Sequence, residues 1–247
     1  MSTLSLLSTL QQSPYFDDYN ETKKFLRMLF QPGVSLQVRE LTQLQTILQN
    51  QISRMGDAFY KDGSLVTGGQ FSFDPNVHYI RLADDADPSQ FLNQKVQLLG
   101  DVATSSEVIA AEDGTNTESP TLIVRYTGPT LITSNSSSIH VVGDTAITAD
   151  LALTGTVSGP ASIATVTEGI YYTNGFFIII NEQSLVLEKY NNTPTYRVGI
   201  TISESVVTSS GDLSLLDNAS GSFNVNAPGA DRYTINLFLD KKAFNSV

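Results

Sequence analysis

Residues 31–70 read QPGVSLQVRELTQLQTILQNQISRMGDAFYKDGSLVTGGQ, and the fold turns on them. Pro32-Gly33 breaks whatever precedes. Leu41, Leu44, Leu48, Ile52, Met55 and Phe59 then follow at steps of 3, 4, 4, 3 and 4. That is a helical period, and it predicts one long helix over residues 36–60 with Ser35 as its cap. The other face carries Gln37, Gln43, Gln45, Gln49 and Gln51 and few charges. An amide both donates and accepts, so such a face meets another protein without desolvating a charge. Two readings follow: a helix used for assembly, or one packed on its own domain with a neutral outer side. The period serves both.

On the N-terminal side, residues 1–14 form a weakly apolar lead ending at Ser13-Pro14. Tyr15, Phe16 and Tyr19 make an aromatic-acidic opening with Asp17 and Asp18. Asn20 is placed to cap a short helix over residues 21–30, with Glu21 in its first turn and Phe25, Leu26, Leu29 and Phe30 on its buried side. Pro32 stops it.

From residue 61 onward Ser, Thr, Gly and Asn replace Leu and Gln. Short β-branched or aromatic runs alternate with turn signals about ten residues apart, the spacing of sandwiches and barrels. Leu65–Thr67 and Gln70–Phe73 read as two strands about a Gly68-Gly69 turn, and Val77–Leu82 as another. Further strands are expected at 95–99, 108–111, 121–126, 138–142 and 146–156, with a turn at 134–137. Thr173-Asn174-Gly175 between Gly169–Tyr172 and Phe176–Ile180 is the strongest hairpin signal. Residues 185–188, 196–207 and 233–239 complete the strands. Between the last two lies a polar segment with Leu213, Leu215, Leu216 and Phe223. We therefore expect a mainly β chain with an N-terminal α-helical segment and an antiparallel sandwich or barrel-like body. The regions are 1–60 (helical docking and assembly), 61–165 (β-rich, with a variable insert) and 166–247 (β-rich). The abrupt end at FNSV leads us to expect a longer protein.

Composition narrows function. Net charge is -11, so a nucleic acid or an anionic membrane is not an expected partner. No run of apolar residues is long enough to span a bilayer. Cysteine is absent, which removes disulfides and thiolate metal sites. His78 and His140 stand alone on predicted strands and read as structural. No G-x-S-x-G elbow, Walker A loop or G-x-G-x-x-G loop opening a helix occurs. Asp85, Asp87 and Ser89 have the spacing of the first calcium-loop ligands, but Gln90 and Val96 occupy positions that need Gly and Glu, so a solvated turn is expected. Sequons at Asn20, Asn135 and Asn191 imply no secretory route. Glu168, Glu182, Glu188 and Glu204 read as outward strand residues rather than a glycosidase pair. No catalytic set, cofactor or metal is expected.

Two stretches resemble a known family. YFDDYNETKKFLRMLFQPGVSLQVRELTQLQTILQNQISRMGDAFYKDGSLVTGG, residues 15–69, resembles the N-terminal signature of tail structural proteins from contractile-tailed phages, cyanophages included. Val38 stands where that family has Ala. Residues 185–239 resemble a second block of the same family through Lys189-Tyr190, Asn192-Thr193-Pro194, Tyr196-Arg197-Val198-Gly199, Leu215-Leu216-Asp217-Asn218-Ala219 and Ala227-Pro228-Gly229-Ala230-Asp231-Arg232. The middle, residues 83–165, matches only loosely.

The resemblance implies a virion component made in the host cytoplasm, the tail-proximal part of a tail fibre or a baseplate protein. It implies a homotrimer that docks on baseplate or other tail proteins, with host attachment further along. On that reading Leu41, Leu44, Leu48, Ile52 and Met55 form an inter-chain or docking seam. Gln37, Gln45, Gln49 and Gln51 supply neutral hydrogen bonds there, and Tyr15, Phe16 and Tyr19 anchor it. The rival is a carbohydrate-binding or carbohydrate-cleaving module, suited by Tyr and Phe on strands but lacking Trp. An inner virion scaffold is a third reading.

Overall fold

The structure is a computed structural model that describes residues 10–133, 137–217 and 224–244. The lead through residue 9, the Asn135 sequon with its turn, Asn218, Ala219, Phe223 and the last three residues lie outside them. One α-helix, α1, spans Val38–Phe59. The strands are β1 Ser64–Gly68, β2 Phe71–Asp74, β3 His78–Arg81, β4 Lys95–Leu98, β5 Asp101–Glu112, β6 Thr121–Tyr126, β7 Ser138–Val141, β8 Asp144–Asp150 and β9 Ser158–Pro160. They continue as β10 Ser162–Val166, β11 Gly169–Thr173, β12 Phe176–Ile180, β13 Gln183–Glu188, β14 Tyr196–Val207, β15 Leu216–Asp217, β16 Asn224–Pro228 and β17 Arg232–Ala243. The described residues are mainly antiparallel β, with α1 on the N-terminal side of the strands. No helix among the described residues is long and apolar enough to cross a membrane.

Two units make up the chain, and both are assembled from separated segments. The first takes Met1–Gly69, Glu168–Ile180 and Thr201–Phe238; the second takes Gln70–Thr167, Asn181–Ile200 and Leu239–Val247. The helical region thus shares a unit with pieces of the last third of the chain.

In the second unit a seven-stranded sheet runs β8-β7-β4-β5-β6-β3-β9. An antiparallel bridge between Leu82 and Leu151 ties the end of β3 back to the end of β8, so the sheet curls toward closure. Ile80, Leu122, Val124, Val96, Val108, Ile139 and Phe91 fill its inside. A second sheet, β13-β10-β2, packs on its outside, where Tyr79 and Ile123 meet Ile163 and Val186. β3 and β6 therefore bury both faces. That is why Leu122-Ile123-Val124 is a continuous apolar run rather than an alternating one. The acidic segment after β3 makes a turn and a 3-10 helix, Pro88–Phe91, capped by the Asp87 side chain accepting from Ser89 N–H, as a solvated turn requires.

The first unit is built on a three-stranded sheet, β1-β11-β12. Asn174-Gly175 joins β11 to β12 as expected: both residues have positive φ (52° and 81°), and Thr173 lies opposite Phe176. The expected hairpin at Gly68-Gly69 is corrected. β1 and β2 both form, but β1 pairs with β11 and β2 with β10. Gly68 and Gly69, with φ of 62° and 56°, turn the chain out of one sheet into another. The expected helix over 21–30 is also corrected. Asn20 caps as predicted, accepting from Thr22 N–H, but only a 3-10 turn, Glu21–Lys23, follows. Lys24 adopts a left-handed conformation (φ 55°) and ends it. Phe25, Leu26, Leu29 and Phe30 are exposed rather than buried.

α1 begins two residues later than expected, with Gln37 rather than Ser35 at its cap. The Glu40 carboxylate accepts from the Gln37 backbone N–H at 2.9 Å, the return half of a capping box. Gly56 is buried against the Tyr172 ring of β11, and a Cβ there would fall inside the ring's van der Waals envelope. Alanine raises helix propensity by about 1 kcal/mol, whereas overpacking costs about 1–3 kcal/mol. Gly56→Ala should therefore destabilise the first unit, read as a lower urea midpoint with unchanged slope. A midpoint at or above wild type would show that Tyr172 yields freely.

Candidate assembly surface

α1 lies on the β11-β12 hairpin by its small and polar side. Gln43, Thr46, Ile47 and Gly56 are its buried residues. Gln49 Nε2 donates to the Gly175 carbonyl at 2.8 Å. The Tyr172 hydroxyl donates within 2.7 Å of Asp57 Oδ1 and 2.8 Å of the Ser53 carbonyl. Burial first, and the Asp57 carboxylate second, hold this phenol above its ordinary pKa, so it stays a donor. Tyr60 and Phe177 pack around the same ring, with centroids 5.9 and 5.0 Å from it.

The apolar stripe faces away from this contact. Leu41 is 43% exposed, Leu48 56%, Ile52 48%, Met55 68% and Phe59 73%; Leu44 is half-buried. Of the two readings the period left open, packing of the stripe into the chain's own core is thus not what the fold does. Large side chains aligned along one helix and left to solvent are the usual mark of an interaction surface.

The glutamines divide. Gln45 and Gln51 are exposed beside the stripe, and Gln37 is exposed at the helix start. Gln49 is committed to Gly175 within the chain, which corrects its assignment to an external seam. Gln43 is buried and donates to Asp18 Oδ1 at 2.9 Å.

The aromatic-acidic opening also divides. Its acidic pair does the anchoring: Asp17 is buried, accepting from Thr46 Oγ1 at 2.5 Å and from Tyr19 N–H at 2.9 Å. Tyr15 is half-buried and donates to Asp231 Oδ2 at 2.6 Å. That bond, ahead of burial, raises the Tyr15 pKa. Phe16 is exposed with φ 50°, and Tyr19 is half-buried. Sequence reasoning missed Asp17, Asp18 and Thr46. Two adjacent acids before a helix whose inward positions are hydroxyl and amide were the available signal. Beyond Lys24 the segment to Leu36 is an arm whose Phe25, Leu26, Leu29, Phe30, Val34 and Leu36 are all exposed.

A second polar joint lies beneath. Glu204 accepts from Tyr233 Oη at 2.9 Å and from Asn174 Nδ2 at 2.5 Å. Burial and then Glu204 push the Tyr233 pKa up. Glu204 is thereby an internal acceptor rather than an outward strand residue. Of the others, Glu168 and Glu182 are exposed, and Glu188 is half-buried.

The second unit has one notable concavity, about 420 Å³, lined by Asp84, Asp87, Asp113, Asn116 and Glu118 among others. No group of three or more His, Asp or Glu suited to a metal occurs among the described residues. His78 is half-buried on β3, its ring 5.2 Å from that of Tyr126, and His140 is buried on β7 beside Gln97.

In comparisons with known proteins, the profile of a domain of unknown function (DUF4815) matches residues 13–87, about a third of the chain. It covers the Asp17-Asp18 anchor, the arm, α1 and the strands through β3. No curated protein and no solved structure matches the chain.

Asp17→Ala would leave the Thr46 hydroxyl only its longer bond to the Thr42 carbonyl, at 3.2 Å, and would take the acceptor from Tyr19 N–H; a hydrogen bond to a charged group is worth about 1.5–3 kcal/mol. Trypsin cleavage at Lys23, Lys24 and Arg27, exposed already in the wild type, should become faster while the second unit's digestion rate stays unchanged. An unchanged rate at those three sites would show that Asp17 does not hold the arm.

Proposed function

We propose that this chain is a structural component of a phage tail: the tail-proximal part of a tail fibre, or a baseplate protein. It joins its neighbours through α1 and the arm, and the β body is what that joint carries. The observation that carries the reading is the exposed Leu41–Phe59 stripe, which the chain's own fold leaves uncovered. The resemblance of residues 15–69 and 185–239 to phage tail proteins supports it from the sequence side. The role is architectural rather than catalytic, and its place is the virion. Leu48→Asp and Ile52→Asp, introduced together into the phage, should yield particles depleted of this protein by quantitative mass spectrometry. Because both side chains already face solvent, the variant chain should keep its far-UV circular dichroism. Full incorporation of the double variant would overturn the reading.

A second reading has an observation of its own. Phe71 and Phe73 stand exposed on β2, and Phe177 on β12, flat apolar rings of the kind that sugars stack upon. A carbohydrate-recognition role predicts saturable binding on a glycan array that Phe71→Ala and Phe73→Ala abolish. An array blank at high protein concentration removes it.

A further inference from the structure

We propose that the arm, residues 25–36, is a strap: in the free chain it lies across the stripe of its own α1, and it lifts when a neighbour takes the stripe. The proposal rests on the architectural reading above and adds the device that keeps that joint shut until assembly. The structure shows the strap open. Both ends of the arm are fixed to α1. Upstream, Asp18 accepts from Gln43 and Asp17 from Thr46, and Glu21 then pairs with Arg54. The chain has thus run along α1 toward its C-terminal end before the arm begins. Downstream the arm leads into Gln37, the cap of α1. It must therefore return along the helix from Arg54 to Gln37, about 26 Å at 1.5 Å per residue. Fully extended, the chain from Glu21 to Gln37 reaches about 53 Å, twice what the return needs. That path leads over the stripe. By helical period Arg54 lies about a third of a turn from the middle of the stripe, with Gln51 between, and Gln37 falls in line with Leu41 and Leu48. The other flank of α1 is closed by the β11-β12 hairpin, through Gln49 and Gly56.

The arm has hinges and a face to bury. Lys24 and Gly33 both hold a left-handed φ (55° and 83°), and a Cβ on Gly33 would meet nothing within 4 Å. No backbone hydrogen bond joins residues 25–30 to another described residue. A segment held so lightly opens and closes at little cost. Phe25, Leu26, Leu29, Phe30, Val34 and Leu36 are all exposed, and Arg27 is the one charged residue among 25–36. Gln45 and Gln51, beside the stripe, are neutral, so closure sets apolar surface against apolar surface without burying an acid. Tethered at both ends, the arm meets the stripe at an effective concentration on the order of millimolar. A separate protein must displace it to reach α1. Once displaced, the arm offers that same neighbour its own apolar side chains.

Cysteine is absent from the chain, so a single introduced thiol reports on a single site. Leu48 stands at the middle of the stripe, and Val102 is exposed on β5. In the full chain, Phe25→Ser, Leu26→Ser, Leu29→Ser and Phe30→Ser together should speed maleimide alkylation of Leu48→Cys about tenfold, the mark of a closed form favoured by about 1.4 kcal/mol. Alkylation of Val102→Cys should not respond. The slow rate with the native arm should hold on dilution, because the contact is within one chain. Far-UV circular dichroism should not change, because the four arm side chains already face solvent in the open form. A Leu48→Cys rate indifferent to the serines would overturn the strap. Protection that fades on dilution would also overturn it and give the stripe to another copy. A thiol unprotected by the native arm, in a chain whose Leu48→Asp, Ile52→Asp variant is lost from virions, would leave the tail role standing without the strap. A protected thiol in a chain whose double variant still enters virions would leave the strap and remove the tail role.

Discussion

Everything in the first unit depends on where the Tyr172 hydroxyl goes. It sits on the central strand of a three-stranded sheet, is fully buried, and needs an acceptor. α1 supplies two, the Ser53 carbonyl and Asp57, and receives the ring against Gly56. That contact fixes the rotation of the helix about its axis. Serine, threonine, glycine and amide turn inward, and the leucines must turn outward. Burying a Leu, Ile, Met or Phe side chain is worth about 1.5–3 kcal/mol. Five members of the stripe, each 43–73% exposed, therefore forgo on the order of 5 kcal/mol, a sizeable fraction of the net stability of an ordinary domain. A fold that spends its inward face on polar pairing and leaves such a stripe in water has its most favourable unused interaction on the outside.

This is also where reading from the sequence reached its limit. Periodicity located α1 to within two residues and put the six residues of the stripe on one side, because a 3.6-residue repeat is a property of the helix alone; Ile47, outside the stripe, is the apolar residue that turns inward. Which side faced the domain depended on β11, more than a hundred residues away in the chain. The assumption that apolar means inward would have chosen the wrong face. The Asn174-Gly175 hairpin was legible for the opposite reason: two positive-φ residues between apolar runs specify their own pairing. β1 and β2 show the middle case. Each run has strand composition, but Gly68-Gly69 separates two sheets instead of joining one. β10 was missed because Ser162, Ala164 and Thr165 look like linker, although the strand is almost wholly buried between β13 and β2. The arm shows that a correct cap does not make a helix: Asn20 begins a turn, and Lys24 ends it before an amphipathic face can be buried.

Polar joints tie the segments of the first unit to one another. Tyr15 and Asp231, far apart in the chain, are joined by a 2.6 Å hydrogen bond in one unit. Asp17 and Asp18 reach Thr46 and Gln43 on the inner face of α1. Tyr233 reaches Glu204, which in turn holds the side chain of the hairpin residue Asn174. Tyr15 and Asp231 are 216 residues apart in the chain, whereas the other joints link residues 25 to 30 apart. Removing Tyr15 or Glu204 leaves the half-buried Asp231 or Tyr233 without its partner, which costs more than the bond itself is worth.

The same sheet also holds the ends of the segment between Gly69 and Glu168. The chain leaves the first unit at Gly69 and returns at Glu168, and the Gly69 N–H donates to the Glu168 carbonyl at 2.9 Å. Backbones approach so closely there that a Cβ on Gly69 would meet Tyr171 and one on Gly169 would meet Gly69. The two ends of the intervening segment are thus held together by the first unit's own sheet. Closing a chain segment between fixed ends costs only about 0.6 kcal/mol more for each doubling of its length. Residues 70–167 can then vary in length and sequence with little effect on the helix, the arm or the hairpin. They must still build the core around Ile80, Leu122 and Val124 and keep β2 and β10 in one sheet with β13, whose Val186 packs on Ile163. A chain divided in this way can keep α1 and its exposed stripe constant while residues 70–167 change.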